Sequence, residues 1–211
     1  MRRTIIFSTA VLLLLGGVAL LLANREKTSP IALPSAQPRA GALPVMWPAP
    51  SFSLGDQNGA TVDNNTLKGR VWIADFIFTS CGNVCPRMTA KRVELQKELD
   101  DPRISFLSFS VDPERDNAAT RKAYAKQHGV DESRWLFVSP ENRDAALKLA
   151  VAMKIAGKPR ENDNPILHSD RFLLIDATGR VRGIYFLDDA AAMSRLAGEA
   201  RALAKDLPAP K

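Results

Sequence analysis

Residues 71–86 have the sequence VWIADFIFTSCGNVCP, and this stretch decides the fold. Val71–Phe78 is rich in β-branched and aromatic residues and almost continuously apolar, which is typical of a strand buried on both faces of a sheet. The only two cysteines of the chain, Cys81 and Cys85, follow this run, and Pro86 comes next. Because proline suits the first position of a helix, the stretch predicts a buried strand, a loop that carries the thiols, and a helix.

The sequence after Pro86 predicts further helices and strands in alternation. In order, we expect a helix to Asp101, a strand over 104–111, a helix to His128, a strand over 135–139, a helix over 142–156, a hairpin of strands 171–176 and 181–187, and a last helix over 190–205. Asp116 is the expected N-cap of the second of these helices. This order predicts an α/β fold in which parallel strands come first and the hairpin adds antiparallel strands.

Residues 1–23 are predicted to be a transmembrane anchor. The run Thr4–Ala23 is uncharged and strongly apolar, and about 20 helical residues span a hydrocarbon core of roughly 30 Å. A cleaved signal peptide usually has an apolar stretch of about 7–15 residues and small residues before the cleavage site. Here the apolar run is longer and ends in Leu21-Leu22-Ala23, which is a poor cleavage signature, so an uncleaved anchor is favoured. Arg2 and Arg3 precede the run. By the positive-inside rule, the rest of the chain is expected on the periplasmic side of a bacterial inner membrane.

A proline-rich linker over residues 24–50 is predicted to join this anchor to a folded domain at 51–211. The linker contains six prolines, and proline-rich segments form extended, semi-rigid spacers. We expect it to hold the domain away from the bilayer.

The distribution of charge argues against nucleic acid as a partner. The chain has a net charge of +6, but residues 1–50 contain five basic residues against one acidic residue. The remaining residues contain no basic stripe with interleaved aromatic residues, which is the usual electrostatic footprint of a nucleic-acid-binding domain. The basicity therefore belongs to the membrane end of the chain.

The position of Cys81 and Cys85 favours a functional role over a structural one. A helix N-terminus stabilises thiolate over thiol, and Arg87, Lys91 and Arg92 would add positive charge if their side chains turn toward the sulfurs. A structural disulfide suits the oxidising, exported side of a membrane. However, it would close a very short loop, which constrains the unfolded chain little. The pair alone fits metal binding and dithiol chemistry equally well.

His168 is the predicted third member of the site. It lies just before the first hairpin strand, in a loop expected to face the cysteine loop. The other histidine, His128, lies at the end of a helix, where capping and the helix dipole are enough to explain its presence. Two sulfurs and one imidazole suit copper, because soft sulfur selects Cu(I) and nitrogen keeps Cu(II) accessible. Zinc in a structural site would usually want a fourth protein ligand.

Three other residues near these ligands have simpler alternative roles. Asp112 ends a strand beside the predicted site and is a candidate for a residue that orients a metal ligand without itself binding the metal. Its position before Pro113 also suits a plain turn. Met88 and Met153 recur at helical spacing and are predicted to be core residues rather than copper ligands.

Three stretches of the chain resemble a known family. Residues 76–86, FIFTSCGNVCP, look like the Cys-x-x-x-Cys-Pro signature of the Sco/SenC family. Residues 110–116, SVDPERD, are similar to the family's second run. His168-Ser169, followed by residues 172–176 and Gly179-Arg180, resembles its histidine segment. The similarity extends over about residues 50–200.

The resemblance implies a thioredoxin-like fold, with a mixed sheet flanked by helices, and copper bound by Cys81, Cys85 and His168. It also implies a role in maturing the copper centre of cytochrome c oxidase. The implied partners are the copper-receiving subunit and a further copper chaperone or thioredoxin-like reductant. The chain departs from the family at two positions. Leu167 stands before the histidine, where family members commonly have an acidic residue, and Asn83 stands where they often have Asp. Both changes remove negative charge near the metal.

Two functions remain open at this point. The first is a copper metallochaperone that passes its metal to a partner, and the second is a thiol-disulfide oxidoreductase that reduces the partner's cysteines. The extra residue between the cysteines, relative to the thioredoxin Cys-x-x-Cys, and the presence of His168 favour the metallochaperone. A peroxidase is disfavoured because Thr79 is misplaced relative to Cys81, and a domain with a purely structural disulfide is the remaining alternative.

Overall fold

The computed structural model describes residues 43–155 and 169–208, which belong to one compact unit, Pro38–Lys211. The predicted anchor at 1–23, most of the predicted linker, and both Leu167 and His168 lie outside the described residues. Within the two described ranges, no helix has the length and the apolar character needed to cross a bilayer.

Strands and helices alternate in the described chain much as the sequence predicts. The elements are β1 (Trp47–Pro48), β2 (Ser53–Gly55), β3 (Thr61–Asp63), β4 (Val71–Ile77), α1 (Val84–Glu98), β5 (Ile104–Ser110), α2 (Ala118–Gln127), β6 (Trp135–Val138), α3 (Arg143–Ala152), β7 (Arg171–Ile175), β8 (Arg180–Phe186) and α4 (Ala190–Lys205).

Six of these strands form one mixed sheet in the order β1-β8-β7-β4-β5-β6. β4, β5 and β6 are parallel, whereas β7 is antiparallel to both β4 and β8. Every residue of β4 and β5 is buried, which explains why β4 is almost continuously apolar in sequence, whereas β5 also buries three serines. The predicted α/β fold, with parallel strands first and an added hairpin, is confirmed.

Three short strands before β4 were not predicted. β1 lies within the predicted linker and pairs with β8, Trp47 opposite Val181 and Pro48 opposite Arg180. Proline is tolerated there because β1 is an edge strand. β2 and β3 form a separate hairpin, and Phe52 beside it packs edge-to-face on Phe109, with ring centroids 5.3 Å apart. The folded domain therefore begins before Ser51.

The carboxyl end of β4 is the point where the order of strands reverses. From β4 the chain passes through α1 to β5 on one side, whereas β7 fills the other side of β4 only after β6 and α3. Ligand sites of open α/β sheets lie outside the carboxyl ends of strands at such a switch point. The loop that carries Cys81 leaves β4 at this position, and we call this side of the sheet the cysteine edge.

Candidate metal and thiol site

The cysteine loop runs from the end of β4 to the start of α1. The helix begins at Val84, earlier than predicted, so Cys85 lies in its first turn rather than before it. Asn83 occupies the N-cap position but makes no capping hydrogen bond with its side chain. The backbone N–H of Cys85 instead donates to Cys81 Sγ, 3.5 Å away. The first turn of α1 thus turns its unpaired donors toward a sulfur.

The environment of Cys81 favours its thiolate form. Burial alone would raise the pKa of Cys81, but hydrogen bonds from the backbone N–H groups of Asn83, Cys85 and Val84 outweigh it and lower that pKa below the ordinary value for cysteine. A thiolate is the nucleophilic and metal-binding form of cysteine. Cys81 is therefore poised for either chemistry.

Cys85 differs strongly from Cys81 in its protonation. Burial raises the pKa of the Cys85 thiol far above the ordinary value, and its interaction with the Cys81 sulfur and the charge of Asp75 raise it further. Both cysteines are free thiols, with 6% of Cys81 and 2% of Cys85 exposed to solvent. The pair thus consists of a reactive sulfur beside a protonated, more deeply buried one.

The three basic side chains that could have added positive charge near the thiols form ion pairs with acidic residues instead. Arg87 forms an exposed ion pair with Asp188, and Lys91 pairs with Glu94. Arg92 points into the protein core, where it is fully buried. Because backbone donors lower the pKa of Cys81, the helix start does without these cations.

Arg92 anchors α1 to the underside of the sheet. Its guanidinium forms a buried ion pair with Asp75 and donates to the Ser108 hydroxyl at 2.8 Å and the Ile73 carbonyl at 2.7 Å. The guanidinium also lies 4.3 Å from the centre of the Trp135 ring. A buried cation needs such partners because burial removes its hydration. This contact fixes the helix whose first turn carries Cys85.

Asp116 does not cap α2 as predicted, since Asn117 does so by accepting the Thr120 N–H at 2.9 Å. The fully buried carboxylate of Asp116 bonds the cysteine loop instead. It accepts the Thr79 N–H at 3.1 Å, the Thr79 hydroxyl at 2.5 Å and the Ser110 hydroxyl at 2.6 Å. Asp116 and Asn117 are adjacent and both suit an N-cap, so the sequence did not show which of them caps the helix and which bonds the cysteine loop.

Asp112 lies at the cysteine edge with a fully buried carboxylate. The Val111 N–H donates to the Ile77 carbonyl at 2.9 Å, which places the end of β5 beside the end of β4. Arg143 bonds one carboxylate oxygen of Asp112 at 3.1 Å, and Arg115 lies 3.6 Å from the other. These two arginines compensate for the burial of the Asp112 carboxylate. Its predicted role in orienting a metal ligand stays a prediction.

The third predicted ligand, His168, lies outside the described residues. The described chain resumes at Ser169, which is buried, and β7 starts at Arg171. Because β7 runs antiparallel to β4, with Leu173 opposite Ala74, the start of β7 lies at the end of the sheet where β4 ends. That end is the cysteine edge, and the ligand role of His168 stays a prediction.

The described residues supply two of the three predicted metal ligands. Within 43–155 and 169–208, no three His, Cys, Asp or Glu side chains cluster closely enough to hold a metal ion. Met88 and Met153 are fully buried, so their predicted place in the core is confirmed. The two sulfurs nevertheless fit a soft metal such as Cu(I), since thiolates select it over harder ions.

Comparison with known proteins identifies a family. A family model described as SCO1/SenC matches residues 48–204. The chain is 34% identical over 141 residues to the SCO1 protein homolog of Bacillus subtilis (strain 168), a match that covers 65% of this chain and 73% of that protein.

Solved structures extend the similarity to the fold. BsSco, described as a member of the Sco family of cytochrome c oxidase assembly proteins with a disulfide switch, is 28% identical, with a TM-score of 0.67 over 77% of this chain and 96% of BsSco. Bradyrhizobium japonicum ScoI, solved with copper bound, is 26% identical, with a TM-score of 0.56 over 74% of this chain and 99% of ScoI. The predicted thioredoxin-like fold, a mixed sheet flanked by helices, is confirmed.

Proposed function

The chain belongs to the SCO1/SenC family, and from that premise we propose that it is a copper metallochaperone. It binds copper through Cys81, Cys85 and His168 and assists assembly of the copper centre of cytochrome c oxidase. The observation that carries this proposal is the sulfur pair at the start of α1, where backbone donors lower the pKa of Cys81 although burial opposes them.

The donor chemistry supports copper as the cargo. Two cysteine sulfurs next to each other suit Cu(I), and one imidazole keeps Cu(II) accessible. The copper-bound state of Bradyrhizobium japonicum ScoI, a protein of the same fold at 26% identity, points the same way. The part of this chain is to present the sulfurs, keep Cys81 deprotonated and limit the access of water to both.

The unequal thiols favour a second candidate function, the reduction of a partner's disulfide. The Cys81 thiolate would attack one partner sulfur, and the partner thiolate released would take up a proton. Cys85 would then lose its proton and displace the partner's sulfur from Cys81, so that the partner gains two electrons and a Cys81–Cys85 disulfide forms. The disulfide switch described for BsSco, at 28% identity, supports this alternative.

The proposed location follows from the N-terminal sequence. Residues 1–23 anchor the chain in the inner membrane, and the domain faces the periplasm. The proposed partners are the copper-receiving subunit of the oxidase and a protein that supplies copper or electrons.

Copper retention by single-histidine variants tests the proposal. The full-length chain, reduced and loaded without oxygen, should retain about one Cu(I) by metal analysis, as two thiolates and one imidazole allow. His168→Ala should lower copper retention while thiol counting still shows that both cysteines form a disulfide. The matched control is His128→Ala, which removes the other histidine and should retain copper normally. The His128 ring lies tilted against Tyr124, with ring centroids 4.3 Å apart.

Each outcome assigns the function. Loss of copper from His168→Ala but not from His128→Ala supports the metallochaperone. Unchanged copper retention together with altered disulfide reduction in His168→Ala transfers the assignment to the oxidoreductase. In cells that lack the protein, an oxidase defect relieved by added copper would favour delivery of metal over reduction of cysteines.

A further inference from the structure

The buried carboxylate of Asp116 receives its hydrogen bonds from neutral groups, and the nearby Arg121 guanidinium interacts with its charge without bonding to it. Asp116 is fully buried, and the three groups that donate to its carboxylate, from Thr79 and Ser110, are all neutral. Burying an ionised carboxylate costs several kcal/mol unless hydrogen bonds compensate for the lost hydration. The fold thus directs these donors to one acid that is remote in sequence from the loop it bonds.

Rigid structure surrounds Asp116 on the side away from the cysteines. The Asp116 N–H donates to the Asp112 carbonyl at 2.9 Å. Buried Arg121 donates to the Asp116 carbonyl at 2.5 Å, to the Phe137 carbonyl of β6 at 3.0 Å and to the Asp56 carbonyl at 2.9 Å. The position of the Asp116 carboxylate is therefore set by β5, β6 and the segment after β2.

Thr79 lies on the other side, two residues before Cys81. Asp116 bonds both the backbone and the side chain of Thr79, so this end of the loop has little freedom. The Cys81 N–H donates to the Phe78 carbonyl at 3.2 Å, and Cys81 Sγ accepts the Cys85 N–H. The Cys81 backbone is thus fixed between the Thr79 contact and the first turn of α1.

We propose that Asp116 is a positioning residue that holds Cys81 against the start of α1 and thereby favours formation of the Cys81–Cys85 disulfide. Two groups that are already held together react with a higher effective concentration than two groups on a loose loop. Geometry rather than charge carries this effect. The Asp116→Asn variant should keep it, because the introduced amide oxygen accepts from Thr79 and the amide nitrogen can donate to the Ser110 hydroxyl.

The test is the equilibrium of the full-length chain with glutathione, without copper. Protein dithiol and oxidised glutathione give protein disulfide and two reduced glutathione molecules, and thiol counting measures the ratio. Asp116→Ala and Thr79→Val should lower the equilibrium constant for disulfide formation about three- to tenfold, which is the effect expected when one or two hydrogen bonds are lost. Asp116→Asn should stay within about twofold of wild type.

Ser110→Ala is the matched control. It removes a hydrogen bond to the same carboxylate, and also the acceptor of the Asp112 N–H at 3.1 Å, but it takes nothing from the cysteine loop. This variant should lose stability and keep the wild-type equilibrium constant. If Asp116→Ala fails to fold, Thr79→Val still tests the inference because it leaves the carboxylate in place.

Three outcomes would overturn the inference: wild-type behaviour of Thr79→Val, an equal loss in Ser110→Ala, or a loss in Asp116→Asn that matches Asp116→Ala. The inference rests on the proposed function only in taking Cys81 and Cys85 as the reacting pair. Because the glutathione equilibrium needs no copper, a chain that fails to retain copper leaves this result intact. Conversely, normal copper retention with an unchanged equilibrium in Thr79→Val refutes this inference alone.

Discussion

At the scale of single residues, the sulfur of Cys81 occupies a position that a capping oxygen usually takes. Helices leave their first N–H groups unpaired, and Ser, Thr, Asp or Asn commonly accept from them. Here the Asn83 side chain makes no such bond, and Cys81 Sγ accepts hydrogen bonds from the backbone N–H groups instead, that of Cys85 among them. The first turn of α1 therefore stabilises a negative sulfur in place of an ordinary cap.

This arrangement predicts unequal alkylation of the two cysteines. At pH 7, iodoacetamide should modify Cys81 at least about tenfold faster than Cys85, because only the thiolate reacts and the pKa of Cys81 is lowered while that of Cys85 is raised. Peptide mapping by mass spectrometry at short reaction times measures both rates. In denaturant the two rates should converge, and equal rates in the folded chain would contradict the prediction.

The buried Arg92–Asp75 ion pair gives a second prediction at this scale. Arg92→Met should destabilise the chain by about 3–5 kcal/mol, because it leaves the Asp75 carboxylate buried and unpaired. Adding Asp75→Asn should recover part of this loss by removing that charge. Urea unfolding measures each free energy.

Lys91→Met is the matched control for the Arg92 variant. It breaks an exposed pair with Glu94 in the same helix and should change the free energy of unfolding by less than about 1 kcal/mol. A similar cost for both methionine variants would show that the buried pair contributes no more than a surface pair.

Single residues also show where inference from sequence stops. The two thiols and their place at a helix start could be predicted because one short stretch contains strand, loop and helix. The bond between Asp116 and Thr79 could not, since it joins positions 37 residues apart and depends on parallel pairing of β4 with β5. The burial of Arg92 could not be predicted either, because a charged residue on a helix is usually exposed.

At the scale of elements, the hairpin of β7 and β8 depends on the turn that joins them. Asp176 Oδ1 accepts the Thr178 N–H at 2.9 Å and the Arg180 N–H at 3.1 Å, and its Oδ2 accepts from Arg182 at 2.7 Å. Burial opposes ionisation of this carboxyl, but these hydrogen bonds outweigh burial and lower the pKa of Asp176 below its ordinary value of 3.8.

A depressed pKa in the folded state makes the contribution of Asp176 depend on pH. The stabilisation is fully present above the unfolded pKa and is lost as pH falls through the lower, folded pKa. Asp176→Asn should therefore reduce the free energy of unfolding by about 1–2 kcal/mol at pH 7, mainly through the lost charge opposite Arg182.

The difference between Asp176→Asn and wild type should shrink as pH falls below about 4, where the Asp176 carboxyl of the unfolded wild-type chain begins to take up its proton. Thermal or urea unfolding from pH 3 to pH 7 measures it. A difference that stays constant over that range would show that lost packing, not lost charge, destabilises the variant.

Elements differed in how well they could be predicted. Long elements with clear periodicity, such as β4 and α4, have almost the predicted bounds. β1, β2 and β3 have only two or three residues each, too few for an alternating pattern to emerge. Their positions follow from pairing with β8 and with each other, which no local stretch encodes.

At the scale of the whole molecule, the membrane anchor is the prediction with the widest consequences. The full-length chain should remain with the membrane fraction after an alkaline carbonate wash, because about 20 apolar residues span a bilayer. A chain without residues 1–23 should appear in the soluble fraction. Recovery of the full-length chain in the soluble fraction would contradict the anchor.

The position of β1 has a consequence for how the domain meets other proteins. β1 pairs with the start of β8, beside the turn at Asp176, and Trp72 at the start of β4 lies opposite Ile175. The seven residues of β4 separate that end from the cysteines by roughly 20 Å. The strand β1 therefore joins the sheet at the end opposite the cysteines, so a protein that approaches the thiols along the sheet would not meet β1.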